Sequence, residues 1–296
     1  MTVLVAGGTG FVGTAIVHAL RARELDVRVL ARGTDEDASH FASLGVELQR
    51  GDLTRPETLG PAVEGCTHVV NLVAILKGSP SDFRRVMIDG NAALLATAEE
   101  RGVERYVLMS ALGTTEQTKD LVPYYGAKWA MERAVESSGL EHAIVRPSFV
   151  FGRGGALPTF VRQVKLSPIV TVLGPGTQRI QPIWLEDVAR FFATIVDDAR
   201  APGRTWELGG PDVVTWNDLY RAIADALGKK RTLVHVPFSL ARTGARLTEW
   251  VPLAPLTADQ VTMLEAGDNV CSNSDATDTF DLELVSLADQ LRRATA

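Results

Sequence analysis

The sequence has 296 residues, 46% of them hydrophobic, with a formal net charge of −6 and a pI near 5.5. That is enough apolar material for one large or two small packed domains. The acidic balance excludes a protein that holds nucleic acid by neutralising its phosphates over a broad basic face.

Thr2 to Ala6 is a short apolar run that leads straight into glycines at positions 7, 10 and 13. Glycines at that spacing let a pyrophosphate come close to backbone N–H groups, and the helix behind them adds free donors and a positive dipole end. Val12, Ile16, Ala19 and Leu20 fall on one stripe and predict that helix, with His18, Arg21 and Arg23 facing away. Asp26 to Ala31 follows as a second strand at βαβ distance, so the turn reads as a dinucleotide site rather than a simple chain reversal. The second strand ends in Ala31 and Arg32, without the acidic residue that binds a ribose 2′-hydroxyl. An arginine there makes charge-assisted hydrogen bonds to a 2′-phosphate, so NADP(H) is expected over NAD(H); the alternative is a solvated loop cation.

Strands and helices continue to alternate. Val46 to Arg50 is a third strand closed by Gly51-Asp52-Leu53, Pro56 to Glu64 a helix, and Thr67 to Val73 a buried strand. Phe83 to Arg101 has helical apolar spacing with Gly102 as its C-cap, and Glu104 to Ser110 is the fifth strand. Pro123 to Val135 is a helix with proline in its first turn, and His142 to Arg146 is a sixth strand ended by Pro147. This is a Rossmann-type α/β fold, a doubly wound parallel sheet over residues 1–150, with a return segment at about 180–200. Residues 151–179 and 201–296 are expected to form a smaller substrate-side lobe.

Tyr124 and Lys128 lie four apart on the predicted helix and therefore share a face. An ammonium beside a phenol favours the phenolate, which suits a tyrosine acting as general acid or base, and the lysine can also hold a ribose. Tyr125, three residues from Lys128, is the competing tyrosine. The pair follows the fifth strand, where ligands bind outside the carboxyl ends of a doubly wound sheet.

Together these segments resemble the short-chain dehydrogenase/reductase superfamily, in its extended and atypical branches. The motif Gly7-Gly-Thr-Gly-Phe-Val-Gly13 is similar to the superfamily's glycine motif, which implies cofactor contacts from Gly7, Thr9, Gly10, Phe11, Val12 and Gly13. The resemblance likewise implies contacts from Asp52 and Leu53 with adenine, from Val73 and Ala74 at a strand end, from Lys128, and from Pro147 and Val150 near the nicotinamide. Tyr124 and Lys128 fall on the catalytic pair, with Ser110 as the residue that orients substrate. The segment Gln181 to Ala189 looks like a later signature of the extended branch. Two positions depart from the pattern: Leu112 stands where a serine or threonine is usual, and Met87 where an asparagine is usual. Ser110, Thr114 and Thr115 are the hydroxyls that remain near that strand end.

A narrower resemblance rests on Ser110 to Gly113, Arg146-Pro147, Leu256 to Leu264 and Asp268 to Val270. These look like bacterial relatives of the NADPH-binding accessory subunit of respiratory complex I, which implies peripheral contact with a membrane or respiratory complex. Hydride transfer to an unassigned carbonyl or alcohol substrate is the first functional expectation, a nucleotide-holding accessory or assembly protein the second, and nucleotide-sugar epimerisation or dehydration a lesser one.

The remaining features are weaker. Cys66 and Cys271 give no disulfide framework, and the five histidines show no ligand spacing, so no metal is expected. With a strand starting at residue 2 and no apolar stretch long enough to span a bilayer, the expected location is the cytoplasm. Leu240, Gly244, Leu247 and Val251, beside Trp250, form an apolar helical stripe that is expected to pack on its own lobe; the alternative is that it covers an apolar ligand or touches a membrane. The cluster Lys229-Lys-Arg231 and the acidic stretch Asp275 to Glu283 both read as solvated surface.

Overall fold

The computed structural model describes residues 1–248 and 256–295. Through residue 147 the chain forms β1 (Thr2–Ala6), α1 (Phe11–Ala22), β2 (Asp26–Ala31), α2 (Asp35–Ser43), β3 (Glu47–Arg50), α3 (Leu59–Val63) and β4 (His68–Asn71). It continues through α4 (Pro80–Phe83), α5 (Gly90–Glu100), β5 (Arg105–Met109), α6 (Pro123–Glu136) and β6 (Glu141–Pro147). Next come β7 (Val150–Phe151), α7 (Leu157–Leu166), β8 (Ile169–Leu173), β9 (Arg179–Ile180), β10 (Ile183–Trp184), α8 (Leu185–Ile195) and β11 (Arg204–Leu208). The last third adds β12 (Val214–Thr215), α9 (Trp216–Ala226), β13 (Thr232–Val236), α10 (Phe238–Thr248), α11 (Ala258–Glu265), α12 (Ser274–Phe280) and α13 (Leu287–Thr295).

These elements sort into two compact units. The first comprises Met1–Pro147, Leu185–Glu207 and Ser274–Leu282. Its seven-stranded sheet runs β11-β6-β5-β4-β1-β2-β3, with parallel pairing throughout from β6 to β3. Val3, Leu4, Val5, Val69, Val70, Val107 and Leu108 are fully buried, as continuous apolar strands must be when helices cover both faces of a parallel sheet. The strand order reverses between β1 and β4, whose ends meet at the Ala6–Asn71 pair. Such a reversal opens a crevice outside the strand ends.

Two sequence expectations need correction here. The helix expected over Phe83 to Arg101 is broken: Arg84–Asp89 is π-helical, with α4 before it and α5 after it. Apolar spacing does not reveal one extra residue in the hydrogen-bond ladder, and such turns recur at functional sites. The acidic stretch Asp275 to Glu283 is not merely solvated surface of the smaller lobe. Its helix α12 packs Phe280 against Trp206 and Phe191, with ring centroids 5.0 and 5.6 Å apart, so residues 274–282 belong to the first unit. Asp275 meets Arg204 at 3.2 Å, which places one of those acids on β11.

The second unit comprises Ser148–Trp184, Leu208–Asn273 and Glu283–Ala296. It holds three two-stranded pairings, β10 with β7, β12 with β9, and β13 with β8. Phe149, Phe160, Trp216 and Tyr220 stack largely edge to face in its core, beneath α7, α9 and α13. In α10 it is Ala245, with Phe238 and Ala241, that packs towards α11. Leu240 and Leu247 are exposed, contrary to the expected stripe, while Trp250 and Val251 lie outside the described residues. No helix among the described residues is long and apolar enough to cross a membrane.

Candidate active site

The site is built from the ends of β1, β2, β4 and β5. After β1 the chain turns with Gly7 at φ +83, a region closed to most side chains. Gly7 donates to the Leu30 carbonyl at 3.0 Å and Gly10 to the Gly7 carbonyl at 3.1 Å, which pins the turn against β2. A Cβ on Gly13 would stand 2.2 Å from the Gly7 oxygen, so α1 can press on the turn only because residue 13 is glycine. No side chain caps α1, and its first N–H groups face the bend where Thr9 and Phe11 stand. A pyrophosphate would fit such a turn, and the close approach that leaves room for it is the Gly13 contact. Gly13→Ala is expected to weaken nucleotide binding about a hundredfold or more, since the backbone must move before anything docks. Calorimetric titration with NADPH and NADH checks this, and unchanged affinity would refute that fit.

Just past the end of β2, Arg32 is exposed and makes no ion pair among the described residues. Burial raises the Asp52 pKa, but hydrogen bonds from the Thr54 N–H and hydroxyl, and then the charges of Arg32 and Arg55, outweigh it and leave the carboxyl below the usual range. Two arginines thus stand near one carboxylate with anion-binding capacity to spare. Leu53 is buried, and its Cβ lies where any Cβ on Gly90 would clash, at 2.9 Å.

Behind the end of β4 lies a polar cluster that sequence reading missed. Buried Asn71 donates through Nδ2 to Asn91 Oδ1 at 2.9 Å and to the Tyr106 hydroxyl at 3.0 Å. Tyr106 donates to the same Asn91 oxygen at 2.9 Å. The Asn71 Oδ1 accepts from the Val73 N–H at 3.0 Å, which fixes the path of Val73 and Ala74. The signal was present: Asn71 and Asn91 are polar residues on otherwise apolar runs. Asn91 lies one turn beyond Met87, which is fully buried in the core.

Beyond β5, Ser110 is almost wholly buried and its hydroxyl has no hydrogen-bond partner among the described residues; the same holds for Thr114. Thr115 is engaged with Thr118 in a local turn. On α6, the Lys128 amine is 1% exposed and donates to the Met109 carbonyl at 2.6 Å, while standing 5.9 Å from the centre of the Tyr124 ring. Burial pulls the amine down to about 8, an effect the nearby Glu132 carboxylate partly opposes. Tyr124 keeps partial exposure; Tyr125 is buried, with its hydroxyl under the Gly113 turn.

The expected lowering of the tyrosine pKa is not what this geometry gives. Burial, and then the neighbouring Tyr125, push the Tyr124 hydroxyl well above the usual phenol range, because the lysine's hydrogen bond goes to Met109 rather than to the phenol. A second unforeseen feature holds α6 in place: buried Glu132 accepts two hydrogen bonds from Arg146 on β6, at 2.9 and 2.6 Å. Pro147 ends that strand, and Val150 begins β7 in the second unit. No group of residues suited to hold a metal occurs among the described residues.

Comparison with known proteins bears on the family and the fold. The sequence model of the NAD dependent epimerase/dehydratase family matches residues 3–209. The chain is 31% identical over 258 residues to a protein of Caulobacter vibrioides called ceramide reductase, covering 85% of this chain and 78% of the relative. It is 28% identical over 256 residues to subunit 9 of the mitochondrial NADH dehydrogenase [ubiquinone] 1 alpha subcomplex of Arabidopsis thaliana. That match covers 81% of this chain but spans only 61% of the plant protein's length. The triphenylmethane reductase of Citrobacter sp., solved with NADP(H), superposes with a TM-score of 0.81 at 18% identity, covering 99% of this chain and 100% of that one.

Proposed function

The chain belongs to the NAD dependent epimerase/dehydratase family, and we propose that it works as an NADP(H)-dependent reductase of a carbonyl substrate. The observation that carries this reading is the buried Lys128 amine at the end of β5, which donates to the carbonyl of Met109, the residue before Ser110, and stands 5.9 Å from the centre of the Tyr124 ring. Bound nicotinamide would supply or accept the hydride. The chain's residues do the rest. Tyr124, held protonated by burial, would give its proton to the carbonyl oxygen, which favours reduction over alcohol oxidation. Ser110, whose buried hydroxyl has no partner among the described residues, would orient that oxygen. Lys128 would hold the nicotinamide ribose through its remaining donors. Gly7 to Gly13, Val73 and Ala74 would line the cofactor, with Asp52 and Leu53 at the adenine. The names of the two reductases among the similar proteins support the reaction class.

Arg32, with Arg55 beside Asp52, supports NADP(H) over NAD(H). Arg32→Ala is expected to cost NADPH roughly tenfold or more in affinity, in line with the loss of a charge-assisted phosphate contact, and to leave NADH unchanged. The experiment that tests the function is a screen of aldehydes and ketones for NADPH oxidation by wild type and Arg32→Ala. Turnover with NADPH that falls in the variant supports the proposal; tight binding with no turnover on any carbonyl refutes it. That second outcome would favour the accessory reading, which Leu112, Met87 and the name of the complex I relative support. Sugar epimerisation or dehydration is the lesser enzymatic reading.

A further inference from the structure

In the second unit, α7 and the end of α13 border a groove of about 760 Å³. Arg153, Arg162, Lys165 and Arg293 line it, together with the apolar Val161 and Leu166. All four cations are exposed, and none forms an ion pair among the described residues. Elsewhere in the chain Arg23, Arg28, Arg101, Arg146, Arg179 and Arg204 each face a carboxylate. The sequence shows why: no acidic residue occurs between Glu141 and Glu186.

A further set of cations lies at the same end of α7. Arg231 donates to the carbonyls of Val164 and Lys165, at 2.6 and 3.4 Å, so the run Lys229-Lys-Arg231 is anchored beside the groove. Apolar side chains protrude there too. Leu166 is 69% exposed and Ile169, three residues on, is 52% exposed.

We propose that this face docks on an anionic lipid surface. A net charge of −6 would repel such a surface, so cations gathered without counter-charges set the orientation of approach. An acidic peptide would answer the cations but leave Leu166 and Ile169 in water. Lipid headgroups answer the cations while the interface just beneath them takes the two apolar side chains, which is how amphipathic surfaces bind without crossing.

The test is flotation of the full chain with vesicles of phosphatidylcholine alone and of phosphatidylcholine with 30% phosphatidylglycerol, a composition of roughly that anionic content modelling a charged leaflet. Binding is expected only to the anionic vesicles and should weaken as salt is raised. Each cation near such a surface is worth roughly fivefold in partitioning, so Arg162→Glu with Lys165→Glu should reduce it by well over tenfold. Leu166→Ser should reduce the part that survives high salt. Both variants alter exposed side chains, and an unchanged melting temperature confirms that they fold. Absence of binding to anionic vesicles overturns the proposal, as does undiminished binding by the double variant. Capture of a polyglutamate peptide without vesicle binding would assign the groove to an acidic protein instead, and would also overturn it.

Discussion

Tyr124→Phe is expected to lower NADPH-dependent carbonyl reduction about 10²–10⁴-fold, the range for losing a general acid, while nucleotide affinity stays as in wild type. The substitution removes one oxygen and keeps the ring, whose neighbours are the Tyr125 ring at 5.9 Å and the Lys128 amine. Packing is therefore preserved and the loss reports on proton transfer. Tyr125→Phe is the control: its buried hydroxyl lies under Gly113, and the variant should retain turnover. If the two effects were reversed, Tyr125 would be the acid. The same assay read against pH should show a limb near 8. Burial moves the Lys128 amine down to about that value, so it is charged below and neutral above it. Above pH 8 the amine loses its charge, and kcat/KM should fall with rising pH. A flat profile from pH 7 to 9, taken with an active enzyme, would remove Lys128 from the mechanism.

Glu132→Gln is expected to destabilise the protein by about 3 kcal/mol, since breaking one side of a buried ion pair leaves the other charge stranded. Glu132 is fully buried, and its two oxygens serve the Arg146 guanidinium, which is otherwise only 3.6 Å from Glu207 at the unit's surface. For a chain of 296 residues the melting temperature should drop by roughly 5 °C. Replacing both partners, as Glu132→Leu with Arg146→Met, should recover much of that loss, because no uncompensated charge remains. Scanning calorimetry of the three proteins decides it. A Glu132→Gln melt within about a degree of wild type would show that the pair contributes little. The single variant should also carry the pH limb of Lys128 lower, because the carboxylate that opposes its neutralisation is gone.

The sequence made some of these features legible and hid others, for physical reasons. The first βαβ could be read because glycine placement and strand hydrophobicity are local, and the structure repeats them with Gly13 against the Gly7 carbonyl. The strands through β6 followed from alternating periodicity, with ends shifted by a residue or two, whereas the helix α2 went unread because its short polar sequence carries little apolar spacing. The π-helical Arg84–Asp89 was invisible because it changes a hydrogen-bond pattern, not the spacing of apolar residues. The Asn71, Asn91 and Tyr106 cluster and the Glu132–Arg146 pair join residues 14 to 35 positions apart, and only the packing of α5 and α6 on the sheet brings them together. Tyr124 and Lys128 were legible as neighbours, but the direction of the tyrosine's pKa was not. It depends on where the amine points, and the amine points to the Met109 carbonyl.

The discontinuity of the first unit bears on how the chain is made. Its sheet carries β11 at one edge, and the Trp206 and Phe191 rings behind that edge are completed by Phe280. A ribosome reading from the N-terminus delivers β1 to β6 early, yet Phe280 emerges only after most of the second unit has been synthesised. Until then the two rings lack their third aromatic partner. The nucleotide-binding unit is therefore among the last parts of the chain to close, although it is the first to begin.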